Sequence, residues 1–525
     1  MVNKYAFLAA INCPVKGWYI FNQPEAKLSV ADEYRIREGK LIGRKAQSLF
    51  PMGVEVKGEN FSEALSITKD ILISDSYPVV FEAAFRDDEL ATRADIIHKH
   101  GDKSLDLFEV KSKKFEEKDK FIKNRNSKRY IRDLAYTAMV IMNHGWNVRS
   151  TTLLLVSPEY RKGMYDSLLL KPLDLTDWVL ETVKELNESK TRLINILISS
   201  NRPKFDMSWE CKGCKFLQEC FLEKWDTLFV IHRLNRKKYD ELRERGIFEV
   251  EDIDDSTMLG FNEKQKRMIA AIKQNAPVIN YSALKRGLSE IEYPAGYLDF
   301  ETMATALPLY EGIAPYEKIP TQFSLHIRSH RGGTLRHIEY IFEEPSRDCS
   351  LELAHRLVEA TKDCKSIIVY HASFEKNIIK RLSEKFAEHP ELNQSLKGLL
   401  NRIIDLEVIV SENLYYPEFK GSFSVKKVLP ALVPELGYEN MPVSNGDDAS
   451  YIFANIAMGY YDSEQEERMK INLLEYCKLD TLAMVKIQDK LEELTEECRK
   501  PEPFKTTYPK DFKVLNAVTL KNSCE

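Results

Sequence analysis

Asp299 and Glu301 stand two residues apart in the apolar stretch Tyr297-Leu298-Asp299-Phe300-Glu301-Thr302. Such a stretch predicts a strand, and side chains alternate across a strand, so both carboxylates point to one face. Two like charges side by side repel each other and are costly to strip of water. A divalent cation removes that penalty, and hard oxygen ligands suit Mg²⁺ or Mn²⁺. Two such ions can hold a phosphodiester, activate water and stabilise the leaving oxygen without a nucleophilic side chain. An acidic edge strand facing solvent is the competing reading of this hexapeptide taken alone.

Two later segments bear on that choice. Ile367-Ile368-Val369-Tyr370-His371-Ala372-Ser373-Phe374-Glu375-Lys376-Asn377 predicts a strand, a short turn and a helix start, with Glu375 near that start. Leu473 to Thr481 predicts a helix on which Tyr476 and Asp480, four apart, share a face. This order of motifs resembles the DnaQ-like (DEDD) 3′→5′ exonucleases, with their Asp-x-Glu first motif, a second motif near a strand–helix junction and a Tyr-x-x-x-Asp third motif. The resemblance implies an RNase H-like α/β domain. It assigns Asp299, Glu301 and Asp480 to metal binding, with Asp299 bridging both ions, and Tyr476 to positioning the attacking water. The second motif departs from the pattern: Glu375 follows Phe374 where most of these families place Asp. Asp405, in Ile403-Ile404-Asp405-Leu406, is the other candidate for that role.

A second set of chemical residues lies in the N-terminal half. Cys211, Cys214 and Cys220 form a C-x₂-C-x₅-C cluster, and close thiols of this kind suit a soft metal or an iron–sulfur cluster. Cys13 is the natural fourth ligand, and four thiolates would serve zinc equally. Between these cysteines, Ala91 to Ile97 and Leu105 to Lys111 flank the turn His100-Gly101-Asp102-Lys103. Folding about position 102 puts Asp95 opposite Glu109, and Glu109 and Lys111 share a face. Two acids and a lysine on one face form a metal site with a cation near the scissile phosphate; an exposed polar hairpin is the bland reading.

Asp95, Glu109 and Lys111, bracketed by one cysteine upstream and three downstream, resemble the RecB-like PD-(D/E)xK nucleases. The layout is similar to CRISPR-adaptation nucleases and AddB-type domains, in which four such cysteines hold a [4Fe-4S] cluster that clamps the two ends of the domain. The resemblance therefore implies [4Fe-4S], with zinc as the alternative, held by Cys13, Cys211, Cys214 and Cys220. Asp133 and Tyr136, in Arg132-Asp133-Leu134-Ala135-Tyr136-Thr137, partly match a helix that commonly carries Gln and Tyr. The segment from Glu38 to Arg44 lacks the histidine that many relatives use for metal, and Glu82 is a candidate substitute.

At 525 residues the length suggests roughly three to four domains, and 43% hydrophobic with 30% charged residues describes an ordinary globular chain. The expected architecture is multidomain α/β: a restriction-endonuclease-like domain over 1–225, a helical linker resembling a helix-hairpin-helix over 226–290, the exonuclease domain over 291–495 and a tail over 496–525. The helical linker is read as a helix from Leu234, a glycine stop at Gly246 and a second helix start near Val250. No apolar run approaches the ~20 residues of a membrane span, and the Ala6–Ile11 run is too short for a signal peptide. A cytoplasmic location without membrane association is the expectation, and protein partners are not specified. Cys349, Cys364, Cys477, Cys498 and Cys524 are scattered and read as incidental.

The net charge of −5 exerts no global pull on nucleic acid. Between Lys111 and Arg132, however, ten basic residues face three acidic ones, an excess that could follow a phosphate backbone. Lys113, Lys114 and Arg125 are the candidates there. Lys420, Lys426 and Lys427 are candidates in the segment Tyr415 to Pro430, which is similar to a lysine-rich segment between the second and third exonuclease motifs. Taken together the chain resembles an uncharacterised bacterial family that joins an iron–sulfur RecB-like domain to a DnaQ-like domain. That implies a metal-dependent nuclease, with DNA favoured over RNA as partner. The alternatives are an RNA-processing exonuclease, or a nucleic-acid-binding scaffold with one or both sites inactive.

Overall fold

Long alternating strands with buried apolar faces and amphipathic helices generate a mixed α/β chain of two units in this computed structural model. The structure describes residues 1–497 except 24–27, 75, 205, 222–226, 440 and 444. The expected tail over 496–525, with Cys498 and Cys524, falls outside the described residues from position 498 onward. One unit comprises 1–222 and 304–317, the other 223–303 and 318–525. Residues 226–290 thus group with the second unit instead of forming a separate linker. Among the described residues no helix is long and apolar enough to cross a membrane.

The first unit is built on a six-stranded sheet in sequence order: β1 (Gly53–Glu55), β2 (Val79–Asp87), β3 (Leu90–Lys99), β4 (Ser104–Lys114), β5 (Asn147–Val156) and β6 (Leu170–Asp174). The β1–β2 and β4–β5 pairs are parallel and the others antiparallel. The helices Lys128–Asn143 and Thr176–Ile198 bury apolar faces, including Leu134, Met139, Val179 and Leu193, in a core shared with Val80, Phe85 and Leu153 of the sheet. The N-terminal helices Lys4–Asn12 and Pro14–Asn22 approach so closely that a Cβ on Gly17 would lie 2.5 Å from that of Ala10, so only glycine fits there. The helix Val30–Gln47 opens with a capping box between Ser29 and Asp32. Its Glu38 is buried and accepts from the amides of Ala306 (2.7 Å) and Leu307 (3.2 Å), which holds the 304–317 segment in this unit.

The second unit has a five-stranded sheet. Before its first strand, β7 (Val278–Ile279) forms a small ladder with β13 (Leu414–Tyr415). The main sheet contains β8 (Ala295–Met303), β9 (Ile319–Arg328), β10 (Leu335–Ile341), β11 (Ser366–Val369) and β12 (Ile403–Asp405), in the spatial order β10-β9-β8-β11-β12. The β10–β9 and β9–β8 pairs are antiparallel; the β8–β11 and β11–β12 pairs are parallel. The 35-residue helix Ser463–Glu497 docks on β8 and β9, with several polar ties among the contacts. Gln322 Nε2 donates to the Leu473 carbonyl (2.7 Å), Tyr297 OH to Gln488 Oε1 (2.9 Å), and Ser324 and Thr481 share a hydroxyl contact of 2.8 Å. In the 226–290 segment the helix Arg236–Glu244 ends before Gly246, as expected, but no helix starts at Val250. The Asp252 carboxylate takes the amides of Phe248 and Glu249 into a turn, and the next helix begins at Asp255.

Candidate metal centres

In the second unit, strand periodicity on β8 and helical periodicity on Ser463–Glu497 converge. One carboxylate oxygen from each of Asp299, Glu301 and Asp480 lies within 4.8 Å of the others. Burial, and then mutual repulsion within the group, push the Asp299 and Glu301 carboxyls well above their usual range. Burial likewise lifts Asp480 to about 6, although Tyr438 and Tyr476 hydrogen-bond to it and pull the other way. This donor set of close, partly buried carboxylates fits a hard divalent cation. Glu375, near the start of the helix Ser373–Lys385, is buried, and its Oε2 has no hydrogen-bond partner. Burial lifts its carboxyl to about 8, and its charge is felt at Asp299. A buried orphan acceptor beside the acidic group fits a fourth ligand.

Asp405 is differently occupied. Its two oxygens accept from the amides of His371 (3.0 Å), Ala372 (2.8 Å) and Glu407 (3.0 Å). It caps the helix Leu406–Asn413 and pins the turn after β11, where His371 adopts a left-handed φ of 75°. Asp405, the alternative for the second motif, thus shapes the turn that leads to Glu375, with three backbone amides on its two oxygens.

Tyr438 was not singled out in the sequence. Its hydroxyl donates to Asp480 Oδ1 at 2.6 Å. Lys426 Nζ lies 5.4 Å from the Tyr438 ring centre and 5.2 Å from that of Tyr476, and its charge opposes those of Glu301 and Asp480. Lys426 thus sits at the acidic group itself, whereas Lys420 and Lys427 are exposed. Buried Cys477 lies with Sγ 3.4 Å from Asp299 Oδ2.

In the first unit, the β3–β4 register pairs Ile96 with Phe108; one step further sets Asp95 beside Glu109. The β2–β3 register brackets Glu82 against Asp95, and Glu82 breaks the pairing with a φ of 55°. Burial, then the Glu109 charge, raise the Asp95 carboxyl to about 8, while its Oδ2 accepts from the Val110 amide at 2.7 Å. Burial also raises Glu82. Asp95, Glu82 and Lys111 line a cleft of about 650 Å³ together with Lys40, Arg44 and Arg93.

Lys111 is not loose. Its Nζ lies 2.9 Å from Glu109 Oε1 and 2.5 Å from Asp133 Oδ2. Burial opposes its charge, but Glu109 and Asp133 outweigh burial and keep it protonated. Lys4, unforeseen in the sequence, adds contacts of 2.7 Å to Asp133 Oδ1 and 3.4 Å to Glu109 Oε1. Glu109 Oε2 is still left buried without a hydrogen-bond partner, an acceptor that a cation could satisfy. The basic stretch is partly consumed locally: Lys113 Nζ pairs with Glu116 at 3.0 Å and sits 5.2 Å from the Phe121 ring centre. Lys114 and Arg125 remain exposed.

The four cysteines converge. Cys13, Cys211, Cys214 and Cys220 line one cavity of about 190 Å³, closed by Phe216 and Leu217. Cys13 is the N-cap of Pro14–Asn22, and its Sγ accepts from the Lys16 amide at 3.4 Å. Tyr19 stacks on Phe216 with centroids 5.1 Å apart and joins the N-terminal helices to the cysteine loop. Burial, then the neighbouring thiols, raise the Cys220 thiol to about 11, a cost that a bound metal would relieve.

The family described as "Domain of unknown function (DUF2779)" matches residues 296–424. The "Uncharacterized protein MG366 homolog" of Mycoplasma pneumoniae is 27% identical over 209 residues, 37% of this chain and 31% of that protein. "Uncharacterized protein MG366" of Mycoplasma genitalium is 24% identical over 206 residues, 36% of this chain and 31% of that protein. "Uncharacterized protein UU173" of Ureaplasma parvum is 23% identical over 245 residues, 43% of this chain and 35% of that protein. The matches thus span about a third of the length of these curated relatives. No solved structure matches the chain.

Proposed function

We propose that the chain is a metal-dependent nuclease whose principal site is the carboxylate group of the second unit, acting as a DEDD-type 3′→5′ exonuclease. The observation that carries this reading is the convergence of Asp299, Glu301 and Asp480 within 4.8 Å, from a strand and a helix distant in sequence. The sheet order, with Asp299 and Glu301 on the central strand β8 flanked by antiparallel and parallel neighbours, supports the RNase H-like assignment. Asp299, Glu301, Asp480 and Glu375 would hold Mg²⁺ or Mn²⁺. Bound there, the ions would supply Lewis-acid activation of water and neutralise charge on the phosphate. Tyr438 holds the Asp480 carboxylate in one orientation by donating to Oδ1. Tyr476, one helical turn before Asp480, is suited to orient the attacking water. Lys426 offsets the negative charge of the group and would offer a cation to a bound phosphate.

The first unit is proposed as the PD-(D/E)xK-like partner, with Glu82, Asp95 and Glu109 as metal ligands and Lys111 beside them. Cys13, Cys211, Cys214 and Cys220, which line one cavity, would hold an iron–sulfur cluster, with zinc as the alternative. One observation favours a second reading, in which this site binds nucleic acid without cutting. Lys4 and Lys111 already neutralise Glu109 and Asp133, so the need for a metal is weaker here than in the second unit. DNA is the favoured substrate. Purified full chain should trim end-labelled DNA in Mn²⁺ and not in chelator; equal trimming in both would overturn the proposal, and a parallel RNA panel decides the sugar.

A further inference from the structure

The hairpin between β3 and β4 carries a group that the proposed nuclease chemistry does not use. His98 pairs across the ladder with Asp106, and His100 follows two residues on, just beyond the end of β3. His100 Nε2 lies 2.8 Å from Asp106 Oδ2. His98 Nδ1 lies 4.0 Å from the same oxygen, beyond hydrogen-bond range, and the two imidazole centroids are 4.9 Å apart. The three ligand atoms all fall within 4.8 Å of one another. A His100–Asp106 hydrogen bond alone does not explain why a second imidazole is turned onto the same carboxylate oxygen.

The carboxylate is also oriented from behind. Ser150 Oγ donates to Asp106 Oδ1 at 2.7 Å, which leaves Oδ2 directed at the imidazoles. Hydrogen bonds of this kind to a ligating carboxylate are what fix ligand geometry at metal sites. The turn is held as well: the His100 amide donates to the Ser104 carbonyl at 2.8 Å, and the Ser104 amide to Asp102 Oδ1 at 3.1 Å. The side chains of His98, His100 and Asp106 are 42%, 27% and 21% exposed, so an ion could enter from solvent without the fold opening. Two imidazole nitrogens and one carboxylate oxygen suit a borderline divalent ion such as Zn²⁺, Co²⁺ or Ni²⁺ better than Mg²⁺.

We propose that His98, His100 and Asp106 form a binding site for a divalent transition-metal ion, zinc-like in preference, separate from the acidic site on the same hairpin. Asp95 stands three residues before His98, about 10 Å along the strand, too far to share an ion. The three ligands cross-link β3 to β4 at the turn, with the remaining coordination positions open to water. The metal braces the hairpin whose strands hold Asp95, Glu109 and Lys111.

The test is a Co²⁺ titration of the full chain, read by metal stoichiometry and by absorption. Wild type should bind one more equivalent of Co²⁺ than a His98→Gln/His100→Gln double variant. The visible bands of nitrogen- and oxygen-bound Co²⁺ should shrink in that variant, while near-ultraviolet thiolate-to-metal absorption from the cysteines stays unchanged. Ser150→Ala, which removes no ligand, should keep the stoichiometry and weaken this equivalent by about 10–100-fold. Equal stoichiometry and equal visible bands in wild type and double variant would overturn the proposal, as would Ser150→Ala binding every equivalent with wild-type affinity.

Discussion

Asp480→Asn separates a metal site from an ordinary acidic surface. The carboxyl is lifted to about 6 by burial, against a reference of 3.8. Two pKa units correspond to about 3 kcal/mol of destabilisation of the ionised group in the metal-free fold. The amide is nearly isosteric, and its oxygen can still accept from Tyr438. In chelator at pH 8 the variant should therefore be more stable than wild type by up to about 3 kcal/mol, or roughly 6 °C in the melting temperature of a unit this size. Mn²⁺ should close most of that gap. Wild type gains about 2.7 kcal/mol at a hundredfold excess over Kd, whereas the variant, having lost a ligand, gains much less. Differential scanning calorimetry in chelator and in Mn²⁺ reads both numbers. An Asp480→Asn variant that is destabilised in chelator, or that gains as much from Mn²⁺ as wild type, refutes the reasoning.

Other perturbations divide the roles around the site. Glu375→Gln should weaken Mn²⁺ binding, whereas Asp405→Asn should cost about 2 kcal/mol of stability through its backbone hydrogen bonds and spare metal affinity, read by titration and by urea unfolding. Tyr438→Phe should weaken Mn²⁺ binding by about 10–100-fold without unfolding the chain. His326, buried against His337 and bonded through Nδ1 to Thr481 at 2.8 Å, has its imidazole pulled down to about 4, by burial first and then by the His337 charge. Its unfolded form protonates near 6.5 while the folded form does not. Stability is thus complete above pH 6.5 and falls by about 3 kcal/mol as pH drops towards 4; His326→Gln should remove that loss in urea unfolding curves.

What could be read from the sequence was whatever a single element's period determines. Alternation on one strand puts Asp299 beside Glu301, the four-residue spacing of a helix stacks Tyr476 and Asp480, and folding about position 102 sets Asp95 against Glu109. Contacts made by irregular segments left no such trace. Tyr438 lies in a turn, 42 residues before the carboxylate it holds. Lys4 reaches Asp133 and Glu109 only because the N-terminal helices pack on the helix Lys128–Asn143. A helix cap and a metal ligand call for the same carboxylate, so the three amide partners of Asp405 could not be read from its place in the sequence. Likewise buried Glu38, which helps to hold 304–317 in the first unit, makes a polar contact without periodicity.

The most direct test of the central claim is 3′-end trimming by the full chain carrying Asp95→Ala, with and without the additional change Asp299→Ala. With Mn²⁺ present, the Asp95→Ala protein should release nucleotides from a free 3′ end and stall on a blocked one, and adding Asp299→Ala should abolish the release. Undiminished trimming by the double variant, or equal degradation of blocked and free ends, would contradict the account.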